Sequence, residues 1–208
     1  MIGWIKMNSI FEYLDELFPD AKCELNYEND FEFLISVVLS AQTTDKKVNK
    51  VTSVLFKYDI NELKTIDINK LEEILRNLGM AKKKALYVKN IARDICEKYD
   101  GCVPNDFDEL IKLDGVGRKT ANLVLSTLYN QPYFAVDTHV SRVTKRLGFV
   151  PYNYNVVEIE EEMYKVIPKE RLNKTHHQFV LFGRYYCKSI NPMCDSCKLK
   201  NICKKKDN

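Results

Sequence analysis

Apolar positions recur at three- and four-residue intervals along almost the whole chain, and no alternating run is long enough to predict a strand. In KKKALYVKNIARDICEKY, residues Ala85, Val88, Ala92, Ile95 and Tyr99 fall on one helical face, which Asp100 and Gly101 then terminate. Ala121, Val124, Leu125 and Leu128 mark a helix that starts at Gly117 and runs to about Tyr129. Val140, Val143, Thr144 and Leu147 mark another, with Asp137 as its N-cap. Pairs spaced as capping boxes supply further starts: Ser9 with Glu12, Asn69 with Glu72, Asp106 with Glu109 and Asn155 with Glu158. Gly79 is expected to close the helix that Asn69 opens, as a residue tolerating positive φ, and Pro168 to end the one from Asn155. The expected fold class is all-α, about ten short helices with no internal repeat or flexible linker.

A chain of 208 residues, 45% apolar and 29% charged, has the balance of a soluble globular protein. Its longest apolar stretch, Phe31 to Ala41, is too short to cross a bilayer and contains Glu32. The start lacks a basic region followed by an apolar run and a cleavage site. These features point away from a membrane and toward the cytoplasm, with nucleoid association in a bacterium.

The net charge of +3 says little by itself, but its distribution is uneven. Between Arg184 and Lys206 seven basic residues stand against one acid, Asp195, so the rest of the chain is mildly acidic. A basic tail of this kind suits a polyanionic partner or a solvated surface.

The stretch LDGVGRKTA, residues 113 to 121, narrows the choice. A short helix ending near Leu113 is joined by Asp114, Gly115, Val116 and Gly117 to the helix that begins with Arg118 and Lys119. Glycines permit the tight turn, and the free amides and positive dipole end of the second helix attract phosphate without reading any base. The stretch resembles the helix-hairpin-helix motif of DNA repair proteins, with Asp114 where the motif usually has proline. Lys119 lies opposite the apolar stripe, beside Arg118, where its amine is available as a nucleophile toward an aldehyde-level carbon.

Cys187, Cys194, Cys197 and Cys203 form C-x6-C-x2-C-x5-C. Four clustered cysteines without a secretion signal indicate a metal centre, and the donor set alone admits either tetrahedral zinc or a 4Fe-4S cluster. Cys23, Cys96 and Cys102 read as buried small apolar residues.

Taken together, LDGVGRKTANLVLSTLYNQPYFAVDTHVSRV, the earlier ELNYENDFEFLISVVLSAQTTDKKVNKV and LGMAKKKALYVKNI, and the cysteine spacing resemble the endonuclease III family. The resemblance implies two helical lobes with DNA in the cleft between them. One is a six-helix barrel over residues 23–131, with the helix-hairpin-helix at about 107–129. The other, residues 1–22 and 132–208, is a four-helix lobe with a 4Fe-4S cluster held in 187–203 by the four cysteines.

It further implies a monomeric base excision repair glycosylase with lyase activity, acting on duplex DNA that contains damaged pyrimidines or abasic sites. Lys119 would attack C1′ and Asp137 assist departure of the base; Gly115, Val116, Gly117 and Arg118 would hold the backbone. Gln42 and Met80 would enter the duplex beside an everted nucleotide, Met80 standing where the family usually has leucine. Lys188 is the only cation of the loop between the first two cysteines, with Lys198, Lys200 and the Lys204 to Lys206 run as further basic residues. Asp45 is expected to begin a helix, with capping as its structural role, and His139, His176 and His177 to be structural. Two rivals differ in chemistry: a monofunctional relative using water as nucleophile, and a non-enzymatic helix-hairpin-helix protein with zinc.

Overall fold

The computed structural model describes residues 3–204, so Lys205 and Lys206 of the basic run lie outside the described residues. Among those described, eleven α-helices and one short 3-10 turn form, and no strand. The chain divides into two compact units, Glu24–Gln131 and the combination of Met1–Cys23 with Pro132–Asn208.

The first unit contains α2 (Asp30–Leu39), α3 (Asp45–Leu55), α4 (Ile60–Thr65), α5 (Ile68–Leu75), α6 (Ala81–Lys98), α7 (Phe107–Leu110) and α8 (Arg118–Leu128). Helix α2 is apolar nearly all round, and every residue from Phe33 to Leu39 is buried, which is the pattern of a central helix covered on all sides. Around it, α6 buries Ala85, Val88, Ile91, Ala92 and Ile95, and α8 buries Ala121, Val124 and Leu125. Each such large aliphatic side chain contributes about 1.5–3 kcal/mol of burial free energy. Tyr129 and Gln131 fasten the end of this unit, the tyrosine hydroxyl donating to the Val103 carbonyl and the glutamine amide to that of Asn105.

The second unit contains α1 (Trp4–Leu17), α9 (Thr138–Leu147), α10 (Val156–Val166), the 3-10 turn Lys169–Arg171 and α11 (Leu172–Tyr185). Its core joins Ile10 and Leu14 of α1 to Val140 and Val143 of α9, Ile159 and Met163 of α10, and Phe179 and Phe182 of α11. Gly183 lets α11 approach α9 closely; a Cβ there would meet His139 Cβ at 2.9 Å. The capping box of Asn155 and Glu158 opens α10 as its spacing predicts.

Several local expectations are corrected. Ser9 lies inside α1, not at its start, and its hydroxyl donates back to the Ile5 carbonyl at 3.1 Å. Helix α5 is capped by Asp67, whose carboxylate accepts from the Asn69 and Lys70 amides, so Asn69 is inside the first turn. That helix ends at Leu75, and the left-handed residue that follows is Met80 (φ 59°), not Gly79. Asp106 caps α7, but Glu109 completes no box, turning instead to Tyr99 and Lys112. Thr44 holds the cap position of α3, with Asp45 its first residue. Cys102 is exposed and Cys23 only half-buried, both lying in connections between helices, and Cys96 near the end of α6 is half-buried too.

Candidate functional site

The hairpin is built from α7, the turn Asp114 to Gly117, and α8. Gly115 adopts φ +76°, and a Cβ placed on it would sit 2.5 Å from the Tyr87 ring, so both the turn and the approach of α6 require glycine. Val116 is buried and its amide donates to the Leu113 carbonyl, closing the turn. Gly117 is the N-cap of α8, has no side chain to cap the helix, and has open space around its Cα. The amide end of α8 therefore has no side-chain cap, the condition in which a helix N-terminus accepts an anion.

Arg118 and Lys119 are the first two residues of α8, and both are exposed. The Arg118 guanidinium lies 5.8 Å from the centre of the Phe107 ring of α7, joining the two helices of the hairpin. Asp114, the departure from the usual motif, is held by Asn90 of α6, whose amide donates to its carboxylate at 2.7 Å.

Gln42 and Met80 are both exposed, and both occupy the left-handed region, at φ 57° and 59°. Such backbone costs a non-glycine residue roughly 1–2 kcal/mol, so each turn is held by its surroundings. Beside them Lys84 of α6 is 1% exposed, and its ammonium donates to the Ala41 carbonyl at 2.9 Å. Burial pushes its pKa below the usual lysine range.

In the other unit, Asp137 caps α9 as its sequence position predicts, accepting from the Val140 amide at 2.7 Å, and stays half-buried. His139 follows, with Nδ1 3.1 Å from Arg142 Nη2. Burial pushes its pKa down, against the opposing pull of Asp137. An arginine donor facing the ring nitrogen fits a neutral, structural imidazole. His176 Nδ1 meets the Ala135 carbonyl at 2.8 Å, and His177 is buried beside it.

Cys187, Cys194, Cys197 and Cys203 line one cavity of about 320 Å³, together with Leu147, Phe182, Tyr186, Pro192 and Met193. Among the described residues no three His, Cys, Asp or Glu side chains converge closely enough to hold a single metal ion. Burial, and the nearness of the other three cysteines, push the Cys197 thiol up. Arg146 of α9 donates to the Cys187 sulfur at 3.4 Å and to the Lys188 carbonyl at 2.6 Å, and its own carbonyl accepts from the Lys204 amide. Arg142 donates to the carbonyls of Cys187 and Gly183. Lys188 is exposed, as is the apolar Ile190 next to it in the loop, at 77%. Lys198 pairs with Glu16, and Lys200 pairs with Asp195.

Tyr87, Asn90, Lys84, Arg142 and Arg146 were not expected from sequence. Lys84 carries one signal: it falls on the same stripe as Val88, Ile91 and Ile95, where a lysine must be buried.

Residues 35–169 match the HhH-GPD superfamily of base excision DNA repair proteins. Over 98% of its length the chain is 41% identical to Endonuclease III of Bacillus subtilis, covering 94% of that protein. It is 38% identical to Endonuclease III of Escherichia coli K12, with 97% of this chain and 96% of that protein aligned. Among solved structures it is similar to a non-covalent Endonuclease III-DNA complex, at TM-score 0.94 and 46% identity, covering 98% of this chain and 96% of that one. It is similar also to a trapped Endonuclease III-DNA covalent intermediate, at TM-score 0.93 and 45% identity over 98% and 97% of the two chains.

Proposed function

Because the chain belongs to the HhH-GPD superfamily and, within it, to the endonuclease III family of base excision repair DNA glycosylases, we propose that it removes oxidised pyrimidines from duplex DNA and cuts the strand at the resulting abasic site. The observation that carries this reading is the position of Lys119. It is an exposed amine one residue inside α8, directly after a glycine turn whose helix end has no side-chain cap.

In this reading the amides of the α8 terminus and Arg118 hold backbone phosphate, and Gly117 leaves room for its approach. Bending of the duplex everts the damaged nucleotide, because its glycosidic carbon is out of reach inside the stack. Gln42 and Met80 occupy the space left behind. The Lys119 amine attacks C1′, the C1′–N bond breaks, and the departing base takes a proton, with Asp137 as the carboxylate that assists. The sugar ring opens to a Schiff base. Loss of a C2′ proton then expels the 3′ phosphate by β-elimination, and water releases the amine. The Val140 amide, donating to Asp137 Oδ1, fixes the place of that side chain at the start of α9.

The four thiols around one cavity support a 4Fe-4S cluster over zinc. Zinc sites more often show two close cysteine pairs, whereas here only Cys194 and Cys197 are close in sequence, in the spacing that resembles the cluster motif of the endonuclease III family. When bound, the cluster supplies positive charge to the four thiolates and ties the C-terminal segment into its unit. Lys188 is the loop cation available to a phosphate, and the enzyme is expected to act as a monomer.

Borohydride reduction in the presence of duplex DNA bearing one abasic site tests the proposal. A covalent protein–DNA adduct is expected, and Lys119→Ala should abolish it. A wild-type protein that excises base but is never trapped would instead be a water-dependent glycosylase. A panel of defined lesions then ranks the oxidised pyrimidines.

A further inference from the structure

Two exposed residues with left-handed backbone, Gln42 and Met80, are linked through one buried lysine. The Lys84 backbone amide donates to the Met80 carbonyl at 2.9 Å, closing the first turn of α6, and its side-chain ammonium donates to the Ala41 carbonyl at 2.9 Å. Ala41 lies just past the C-terminal end of α2, where Ser40 and Ala41 turn back on the Ser36, Val37 and Val38 carbonyls and Thr43 bonds to Ser40. A cation at that end of a helix has the favourable sign for the dipole and satisfies a carbonyl that the helix cannot.

The arrangement is a costly way to fill that space. Among the described residues the Ala41 carbonyl is the one hydrogen-bond acceptor of the Lys84 ammonium, and no carboxylate pairs with it. An apolar side chain of the same length would fill the same volume without taking a charge out of water. What the lysine alone supplies is a fixed distance between the start of α6 and the residue that precedes Gln42. Both turns also carry the backbone cost of the left-handed region, so each would relax if the tie were lost.

We propose that Lys84 is a positioning residue, which holds Gln42 and Met80 as a preformed pair so that both side chains enter the duplex without first having to be ordered. This rests on the reading of Gln42 and Met80 as the residues that fill the gap beside an everted nucleotide. Ordering the pair in advance lowers the free energy of reaching the everted state and contributes nothing to the chemistry at C1′.

The test is a double-mutant cycle of Lys84→Met and Gln42→Ala on duplex DNA carrying one abasic site with 2-aminopurine opposite. The rise in 2-aminopurine fluorescence reports unstacking, and single-turnover strand cleavage reports the reaction. Lys84→Met is expected to lose the fluorescence rise and to slow cleavage by about tenfold or more, the scale of one charge-assisted hydrogen bond. Combined with Gln42→Ala it should fall little further, since both changes remove the same insertion. Fully multiplicative effects, or a wild-type fluorescence rise in Lys84→Met, would overturn the role of Lys84 while leaving a defective Gln42→Ala as support for the underlying reading. A Gln42→Ala enzyme with a normal fluorescence rise would sink that reading and the proposal with it. If the methionine variant does not fold, Lys84→Gln carries the same cycle.

Discussion

The Asn90 side chain donates to the Asp114 carboxylate at 2.7 Å, tying α6 to the turn of the hairpin. Where the motif usually stiffens this turn with a proline ring, the chain uses a hydrogen bond from a residue of α6 to a residue of the turn. The carboxylate thereby gains a fixed place, but its charge remains next to a helix end offered to phosphate. Asp114→Asn keeps an acceptor for Asn90 and removes the charge. It should bind duplex DNA about fivefold more tightly at low ionic strength, the scale of one exposed charge contact. The advantage should shrink as salt is raised. Fluorescence anisotropy at two salt concentrations measures both, and an equal gain at each would show that charge is not the cause.

The two hairpin glycines have different reasons to be glycine. Gly115 has φ +76° and lies against Tyr87, whereas Gly117 has φ −104° and nothing within 4 Å of the position a Cβ would take. Gly115→Ala should therefore lower the thermal midpoint, since the left-handed backbone alone costs about 1–2 kcal/mol and the ring contact adds to it. Gly117→Ala should leave the midpoint almost unchanged and still weaken DNA binding, because its methyl group occupies the space a phosphate needs. Midpoints and anisotropy on the same two variants separate folding from binding.

The helices were legible because burial follows their three- and four-residue period, as in α6 and α9, and because Asp137 and Asn155 stand where caps belong. The hairpin was legible because its residues are contiguous. Caps failed where a competing side chain lay nearby: Asp67 stands two residues before Asn69 and takes its place, and Ser9 is absorbed into a helix that starts earlier. Contacts distant in sequence left no mark in the pattern. Asn90 and Asp114 are polar residues on different elements, and nothing in the pattern of α9 shows that Arg142 and Arg146 both donate to the Cys187 carbonyl. Lys84 was the intermediate case, visible as a charge on an apolar stripe but not in what it holds.

Buried His177 and half-buried Asp15 contribute to the acid response of the unit containing α1, α9, α10 and α11. Burial, with His176 beside it, holds His177 down to about 3. In the unfolded chain the ring takes its proton near the ordinary value of 6.5. The unfolded state thus binds more protons between these values, and stability is lost progressively as pH falls below about 6.5. Burial opposes the ionised form of Asp15, yet hydrogen bonds from Lys174, Gln178 and Arg171 outweigh it and hold the carboxyl down to about 2. Its contribution is complete above the ordinary carboxylate value and is lost as pH falls through about 2. Between pH 7 and 5 Asp15 contributes no slope, and His177 acts together with His139, whose pKa burial also pushes down. Thermal midpoints over that interval should fall, and His177→Leu should flatten the slope; an unchanged slope would place the acid sensitivity elsewhere.

Arg146 serves the cysteine segment with both ends of its residue. Its guanidinium donates to the Cys187 sulfur and to the Lys188 carbonyl, and its backbone carbonyl accepts from the Lys204 amide and the Cys203 thiol. One side-chain change therefore separates the two roles, since the backbone acceptor survives any substitution. Arg146→Lys retains the charge but loses the planar fork that reaches two groups at once, and Arg146→Gln loses the charge as well. If charge compensation of the thiolates dominates, the lysine variant should hold nearly as much iron per chain as the wild type and the glutamine variant much less. If the fork is what matters, both should lose iron alike and release it faster when heated. Iron content and the decay of visible absorbance on warming decide between these outcomes. One nitrogen, Nη1, reaches Cys187 Sγ and the Lys188 carbonyl while Nη2 reaches the Ser189 carbonyl at 3.4 Å, so the two prongs together hold the segment Cys187 to Ser189, which favours the second.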